Sequence, residues 1–242
     1  MTTTLDPAEI AKFAAMADAW WDPKGDFAPL HRMNPVRLAY LRETISAHFN
    51  RPPGRRPFEG LTLIDVGCGG GLATEPMARL GATVIGLDGA AESVNAAAAH
   101  AAQGGLSIDY RQGTAEDLAA TGATFDVVLA LEIVEHVADM HAFCEAVGKL
   151  VKPGGITILS TINRTVKARA LAITAAERVL KWVPDGTHEF DKLVKPDELA
   201  AAMLPLEACA PVGLSFNPLS GAWKLSDDVS MNYFLTAIKP NV

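Results

Sequence analysis

Apolar positions along the chain change their period several times, and those changes divide it into elements. From Asp6 to Ala19 they recur at helical spacing behind Asp6 and Pro7, and "NPVRLAYLRETISAHF" repeats the pattern behind Asn34. An aromatic, proline-rich loop with Trp20, Trp21 and His31 separates these helices, and "RPPGRRPFEG" reads as a linker. Short apolar runs then alternate with helical stretches: "LTLIDV", a helix after Leu72, "TVIGL", an alanine-rich helix from Ala90, "SIDY", "FDVVLAL", a helix from Asp139, and "ITILST". Such alternation predicts a parallel sheet with helices on both faces. Beyond Asn163 come a basic helix, the loop "PDGTHEFDKLVKP", a helix from Pro196, and two apolar runs, Ala208 to Phe216 and Asn232 to Ile238. Those runs are expected to pair as an antiparallel hairpin at the sheet edge, with "NPLSGAWKLSDD" as a long connection.

With 242 residues, 49% of them hydrophobic, the chain can fill the core of one α/β domain. A formal net charge of -7 argues against a broad electrostatic hold on nucleic acid, so no nucleic-acid partner is expected. Cys68, Cys144 and Cys209 are too scattered for a metal knuckle or redox pair and suit a reducing compartment. The N-terminus lacks a basic segment followed by an apolar run, and no stretch reaches eighteen consecutive apolar residues. A cytoplasmic protein is expected, neither secreted nor membrane-spanning.

"DVGCGGGL" puts Gly67, Gly69 and Gly71 between the first strand and the next helix, where ligands collect in open α/β sheets. A dinucleotide fingerprint would put a small residue where Leu72 stands, and Asp65 would repel a pyrophosphate. S-adenosylmethionine has no phosphate and carries two cationic groups that a carboxylate stabilises, so the loop favours that cofactor. Asp88, at the end of the second strand, is placed to accept the ribose hydroxyls, although capping the next helix is its ordinary alternative. After the third strand Ala115, Glu116 and Asp117 lie on the adenine side.

Together "DVGCGGG", "GLD" and the "VKPGG" turn resemble the class I S-adenosylmethionine-dependent methyltransferases over about Leu61 to Thr161. The flanks, "EIAKF", "WWDPKGDFAPLHRMNPVRL", "LEIVEHV", "STINR", "VPDGTHEFDKLVKP" and "NYFL", resemble one family within that class, the ubiquinone-biosynthesis O-methyltransferases. The resemblance implies a Rossmann-like fold with a mostly parallel seven-stranded sheet. It also implies one domain over 1–242: an N-terminal helical lid (1–50), a cofactor-binding core (61–161), an amphipathic helix and lid insertion after the fifth strand (163–195), and a C-terminal helix and hairpin (196–242). It implies methylation of phenolic hydroxyls on polyprenylated phenol or catechol precursors of ubiquinone. Arg37, Gly67, Asp88 and Leu131 would contact the cofactor, Arg37 by pairing with its carboxylate. Other ubiquinone-biosynthesis proteins are implied partners. The glycine loop alone also admits a C-methyltransferase, an O-methyltransferase of another pathway, a nucleotide-binding oxidoreductase domain or a silent cofactor-binding module.

A free phenol, with a pKa of about 10, keeps its proton at neutral pH, so transfer to its oxygen needs help. Glu132, Glu135 and His136, just past the fourth strand, share one side of a helical turn. Two readings stay open: the three hold a divalent ion, magnesium or zinc, that lowers the phenol pKa, or His136 acts alone as a metal-free base. The resemblance implies a metal for some relatives, and His31 and His188 lie in loops expected to cover the site.

Between Thr161 and Val183 stand Arg164, Lys167, Arg169, Arg178 and Lys181 against Glu177 alone. With Thr174, all but Arg169 draw a polar stripe along a helix whose other side is apolar. Two readings remain, a solvated face or, over 165–183, a contact with an anionic membrane surface. A polyprenyl substrate dissolved in the bilayer gives the second its reason, with peripheral association at the inner membrane.

Overall fold

A computed structural model describes residues 4–170, 190–217 and 220–241. The five apolar runs of the alternating region form β1 (Thr62–Val66), β2 (Thr83–Asp88), β3 (Asp109–Gln112), β4 (Phe125–Leu131) and β5 (Val151–Ile162). These are parallel, in the order β3-β2-β1-β4-β5. Both faces of its centre, β1, β4 and β5, are covered, which is why those runs are largely apolar instead of alternating, whereas the edge strand β3 is polar and mostly exposed. Ile64, Val128 and Leu159 face the side carrying α5 (Ala115–Ala120), α6 (Met140–Leu150) and α8 (Pro196–Ala202). Their neighbours Leu63, Leu129 and Ile158 face α2 (Ala28–His48) and α3 (Thr74–Arg79).

The C-terminal half departs from the seven-strand expectation, since nine strands join the sheet among the described residues. The predicted runs do pair antiparallel, as β7 (Val212–Asn217) and β9 (Asn232–Ile238), but β9 lies inside the sheet between β5 and β7. The edge belongs to β8 (Ala222–Ser226), which arises in the stretch read as a connection, and β6 (Glu207–Ala208) adds two residues against β9. Trp223 and Leu225 are too few for a convincing alternating run, and pairing with β7 supplies what the sequence pattern lacks.

α1 (Pro7–Ala15) starts as expected, with the Asp6 carboxylate accepting from Ala8 N–H. A short turn, Ala17–Ala19, replaces its expected last residues. α2 begins at Ala28, six residues before the expected start, and Pro35 falls inside it. Asn34 therefore caps nothing. Its amide donates to Leu72 O at 2.9 Å and its Oδ1 accepts from Arg37, tying the helix to the glycine loop. α4 (Ala91–Gln103) is the predicted alanine-rich helix. Of the basic amphipathic helix, only α7 (Val166–Ala168) and its flanks are described, and 171–189, with Arg178, Lys181 and His188, lie outside the described residues.

Candidate active site

The chain leaves β1 through Gly67 and Gly69, with φ of +72° and +51°, where a Cβ is disfavoured. Close packing adds a second demand for glycine. A Cβ on Gly67 would lie 2.2 Å from Ile133, and one on Gly69 2.4 Å from the Trp20 ring. The aromatic loop thus sits on the glycine turn. Trp20 donates to Ser93 Oγ and stacks on Phe27 at 3.7 Å, Trp21 donates to Gly70 O at 2.9 Å and stacks on His100, and His31 bonds the Trp20 carbonyl.

Asp88 accepts from Gly69 N–H at 2.8 Å and Ala90 N–H at 2.9 Å, so its carboxylate joins the glycine loop to the entry of α4. Burial raises its pKa despite both bonds. Asp65 is 2% exposed and accepts from Thr74 Oγ at 2.6 Å. Burial pushes it up to about 6, against the opposing influence of the Thr74 bond and Arg37. Arg37 is itself buried, which lowers its pKa, while Glu132 and Asp65 act the other way. The buried guanidinium thus faces one buried carboxylate, Asp65, and one half-buried one, Glu132.

Beyond β4 the three clustered residues take separate partners. Glu132 has a φ of +52°, unusual for a residue with a Cβ. Ser160 fixes it: Glu132 N–H donates to the Ser160 carbonyl, and Ser160 Oγ donates to Glu132 Oε1 at 2.6 Å, while Asn232 donates to Oε2. Glu135, 3% exposed, accepts from Thr161 Oγ at 2.8 Å, and its Oε1 has no hydrogen-bond partner. Burial raises its pKa, with the charge of His136 opposing. His136 Nδ1 lies 2.8 Å from Glu9 Oε2, and Phe13 meets the imidazole edge-on at 5.1 Å. That bond is the main reason the Glu9 pKa is lowered.

The expected metal site is not shown by the structure. Among the described residues no three His, Cys, Asp or Glu side chains are grouped to hold a metal ion. Glu132, Glu135 and His136 do not share one turn of α-helix: the strand end and the short 3-10 turn Val134–His136 send them to Ser160, Thr161 and Glu9. All three nevertheless line one cavity, where Glu135 Oε1 has no hydrogen-bond partner. Glu9 was the residue whose role went unread, since "EIAKF" carried a resemblance but no chemistry of its own.

One cavity of about 480 Å³ joins these parts. Arg37, Asp65, Gly67, Gly69, Asp88, Ala115, Glu116 and Leu131 line it, and so do Glu132, Glu135 and His136. Glu116 also accepts from Thr4 Oγ, and Thr114 caps α5 by accepting from Asp117 N–H. A buried guanidinium with two carboxylates suits a ligand bearing both a carboxylate and cationic centres, so the donor set fits S-adenosylmethionine. No helix among the described residues is long and apolar enough to cross a membrane.

Residues 64–159 match a family model described as a methyltransferase domain. A ubiquinone biosynthesis O-methyltransferase from Brucella anthropi is 54% identical, the match covering 98% of this chain and 97% of the relative. Its counterpart from Sinorhizobium medicae is 52% identical with the same coverage. Among solved structures, the magnesium protoporphyrin IX methyltransferase from Synechocystis, with bound SAH, is 17% identical with a TM-score of 0.64, covering 95% of this chain and 94% of that one. An S-adenosylmethionine-dependent methyltransferase from Clostridium acetobutylicum is 14% identical with the same TM-score, covering 95% and 98%. At those identities the likeness to the solved structures concerns the fold.

Proposed function

The chain belongs to the ubiquinone biosynthesis O-methyltransferase family and is an S-adenosylmethionine-dependent O-methyltransferase, and from that premise we propose that it methylates a phenolic hydroxyl of a polyprenylated phenol or catechol with His136 as the base. The observation that carries this reading is the His136–Glu9 pair, 2.8 Å apart on the wall of the cavity that also holds Gly67 and Asp88. A carboxylate only accepts, so His136 donates its Nδ1 proton to Glu9, which leaves the lone pair on Nε2. Nε2 takes the phenolic proton, and Glu9 stabilises the imidazolium that forms. The edge of Phe13 limits the ring's tilt, so Glu9 and Phe13 both act as positioning residues.

Arg37, Asp65 and Asp88 hold the cofactor in this reading, with Ala115, Glu116 and Leu131 against it. S-adenosylmethionine, when bound, supplies an electrophilic methyl on a sulfonium. Ile10 and Phe13 of α1, Met16 just past its end, and Trp20 keep water from the reacting oxygen. A divalent ion, magnesium or zinc, if held by Glu132, Glu135 and His136, would lower the phenol pKa, and no step is assigned to it.

A polyprenyl substrate resides in the bilayer, so the enzyme meets it at the inner membrane, with the basic segment 165–183 as the contact. Support for this comes from the charge pattern. Within the fold Arg164, just before this segment, pairs with Glu198, Lys167 pairs with Asp228 and Ser230, and Arg169 lies over the Phe190 ring. Partnership with other ubiquinone-biosynthesis proteins rests on family membership.

Turnover of a catechol analogue by His136→Ala tests the base. A loss of about 10² to 10⁴ in kcat with cofactor affinity retained is expected. Undiminished kcat would overturn the assignment.

A further inference from the structure

Part of the cavity lining is apolar. The wall there is built from Leu214 and Phe216 on β7, Trp223 on β8, and Pro29, Leu30 and Met33 in the first turns of α2. Among the described residues β8 pairs with β7 alone, at the outer edge of the sheet, and takes no part in the glycine loop. What it brings to the cavity is Trp223. Phe216 and Trp223 are opposite one another in the β7–β8 register, with ring centroids 5.2 Å apart, and β8 packs against α2. A Ser215–Ser226 hydroxyl bond at 3.0 Å supports that register, and Lys167 anchors the turn after β8 through Asp228 and Ser230.

We propose that this wall, centred on Trp223, binds the first isoprene units of the substrate's side chain and selects tailed over untailed phenols. The inference rests on the proposed function and deepens it. A hydrocarbon tail offers no hydrogen bonds, so only apolar contact and shape can recognise it. With the hydroxyl at His136, two directions oppose a tail. Towards the glycine loop it would meet Asp65, Asp88 and Arg37, which hydrocarbon cannot solvate. Towards α1 it would displace Phe13 and Met16, which already pack on the Trp20–Phe27 cluster.

The β7–β8 end also leads outward. Two large apolar side chains are exposed nearby: Leu225, two residues past Trp223, is 37% exposed, and Val166, beside cavity-lining Lys167, is 83% exposed. A tail longer than the cavity could leave over them towards lipid.

The test compares a catechol lacking a tail with the same catechol carrying two isoprene units, using the full chain. In Trp223→Ala the ratio of kcat/KM for tailed over untailed substrate should fall about tenfold, chiefly through KM, and Trp223→Phe should restore most of it. A free isoprenoid alcohol of the same length should compete with the tailed substrate in the wild type and compete less well in Trp223→Ala. If Trp223→Ala does not fold, Leu30→Ala on the facing helix reads the same ratio. An unchanged ratio in the folded variant, or equal losses on both substrates, overturns the subsite while leaving the methyltransferase reading intact. Failure of the wild type to methylate either catechol overturns both.

Discussion

Replacing Glu9 with alanine should cripple the transferase without loosening its cofactor. Glu9 Oε2 receives the Nδ1 proton of His136 at 2.8 Å, and the two side chains are only 14% and 12% exposed, so water replaces the lost carboxylate poorly. A hydrogen bond to a charged group contributes about 1.5 to 3 kcal/mol. If that bond orients the imidazole and stabilises its protonated form, kcat should fall between about tenfold and about 150-fold. Steady-state turnover of a short-chain catechol measures the loss, and calorimetry with S-adenosylhomocysteine checks that the cofactor site survives. A double-mutant cycle makes the test specific, because Glu9→Ala should cost little further activity in a His136→Ala background. Full additivity, or wild-type kcat in Glu9→Ala, would refute the dyad.

Asp88→Ala should weaken cofactor binding by about 1.5 to 3 kcal/mol, measured by calorimetry, since it removes a charged acceptor that also holds Gly69 N–H; an unchanged Kd would count against the cofactor assignment. Asp65 is raised to about 6 from an ordinary value of 3.8, so its contribution to stability is fully present below about pH 3.8 and lost as pH rises through about 6. Asp65→Asn should remove that loss, up to about 3 kcal/mol, and parallel thermal melts of both proteins between pH 4 and 7 would expose a failure. Replacing Arg178 and Lys181 of the stripe with Glu should abolish sedimentation with anionic liposomes in a salt-dependent way, at about 1 kcal/mol per charge, and spare turnover of a short-chain substrate; continued sedimentation would mean that the basic stripe is only a solvated face.

The elements legible in the sequence are those whose causes are local. Gly67, Gly69 and Asp88 sit within one strand–turn–helix–strand unit, and the apolar runs of β1, β4 and β5 are dictated by burial on both faces. Asn34 looked like a helix cap because side chains of its type cap helices, but its amide is taken by Leu72 O across the fold. His136 and Glu9 are 127 positions apart, and no periodicity links them. Glu132, Glu135 and His136 share one cavity wall but not one turn of regular helix. Left-handed backbone at Glu132 and a 3-10 turn after it redirect all three. β8 was hidden for a related reason, since an edge strand of five residues takes its order from its partner β7.

Supplying S-adenosylmethionine with an isotopically labelled methyl to the wild-type protein and a prenylated catechol, then locating the label in the product by NMR, tests the central chemistry most directly. The label should appear as a methoxy carbon on the ring. A label on ring carbon, or none in the catechol, would contradict it.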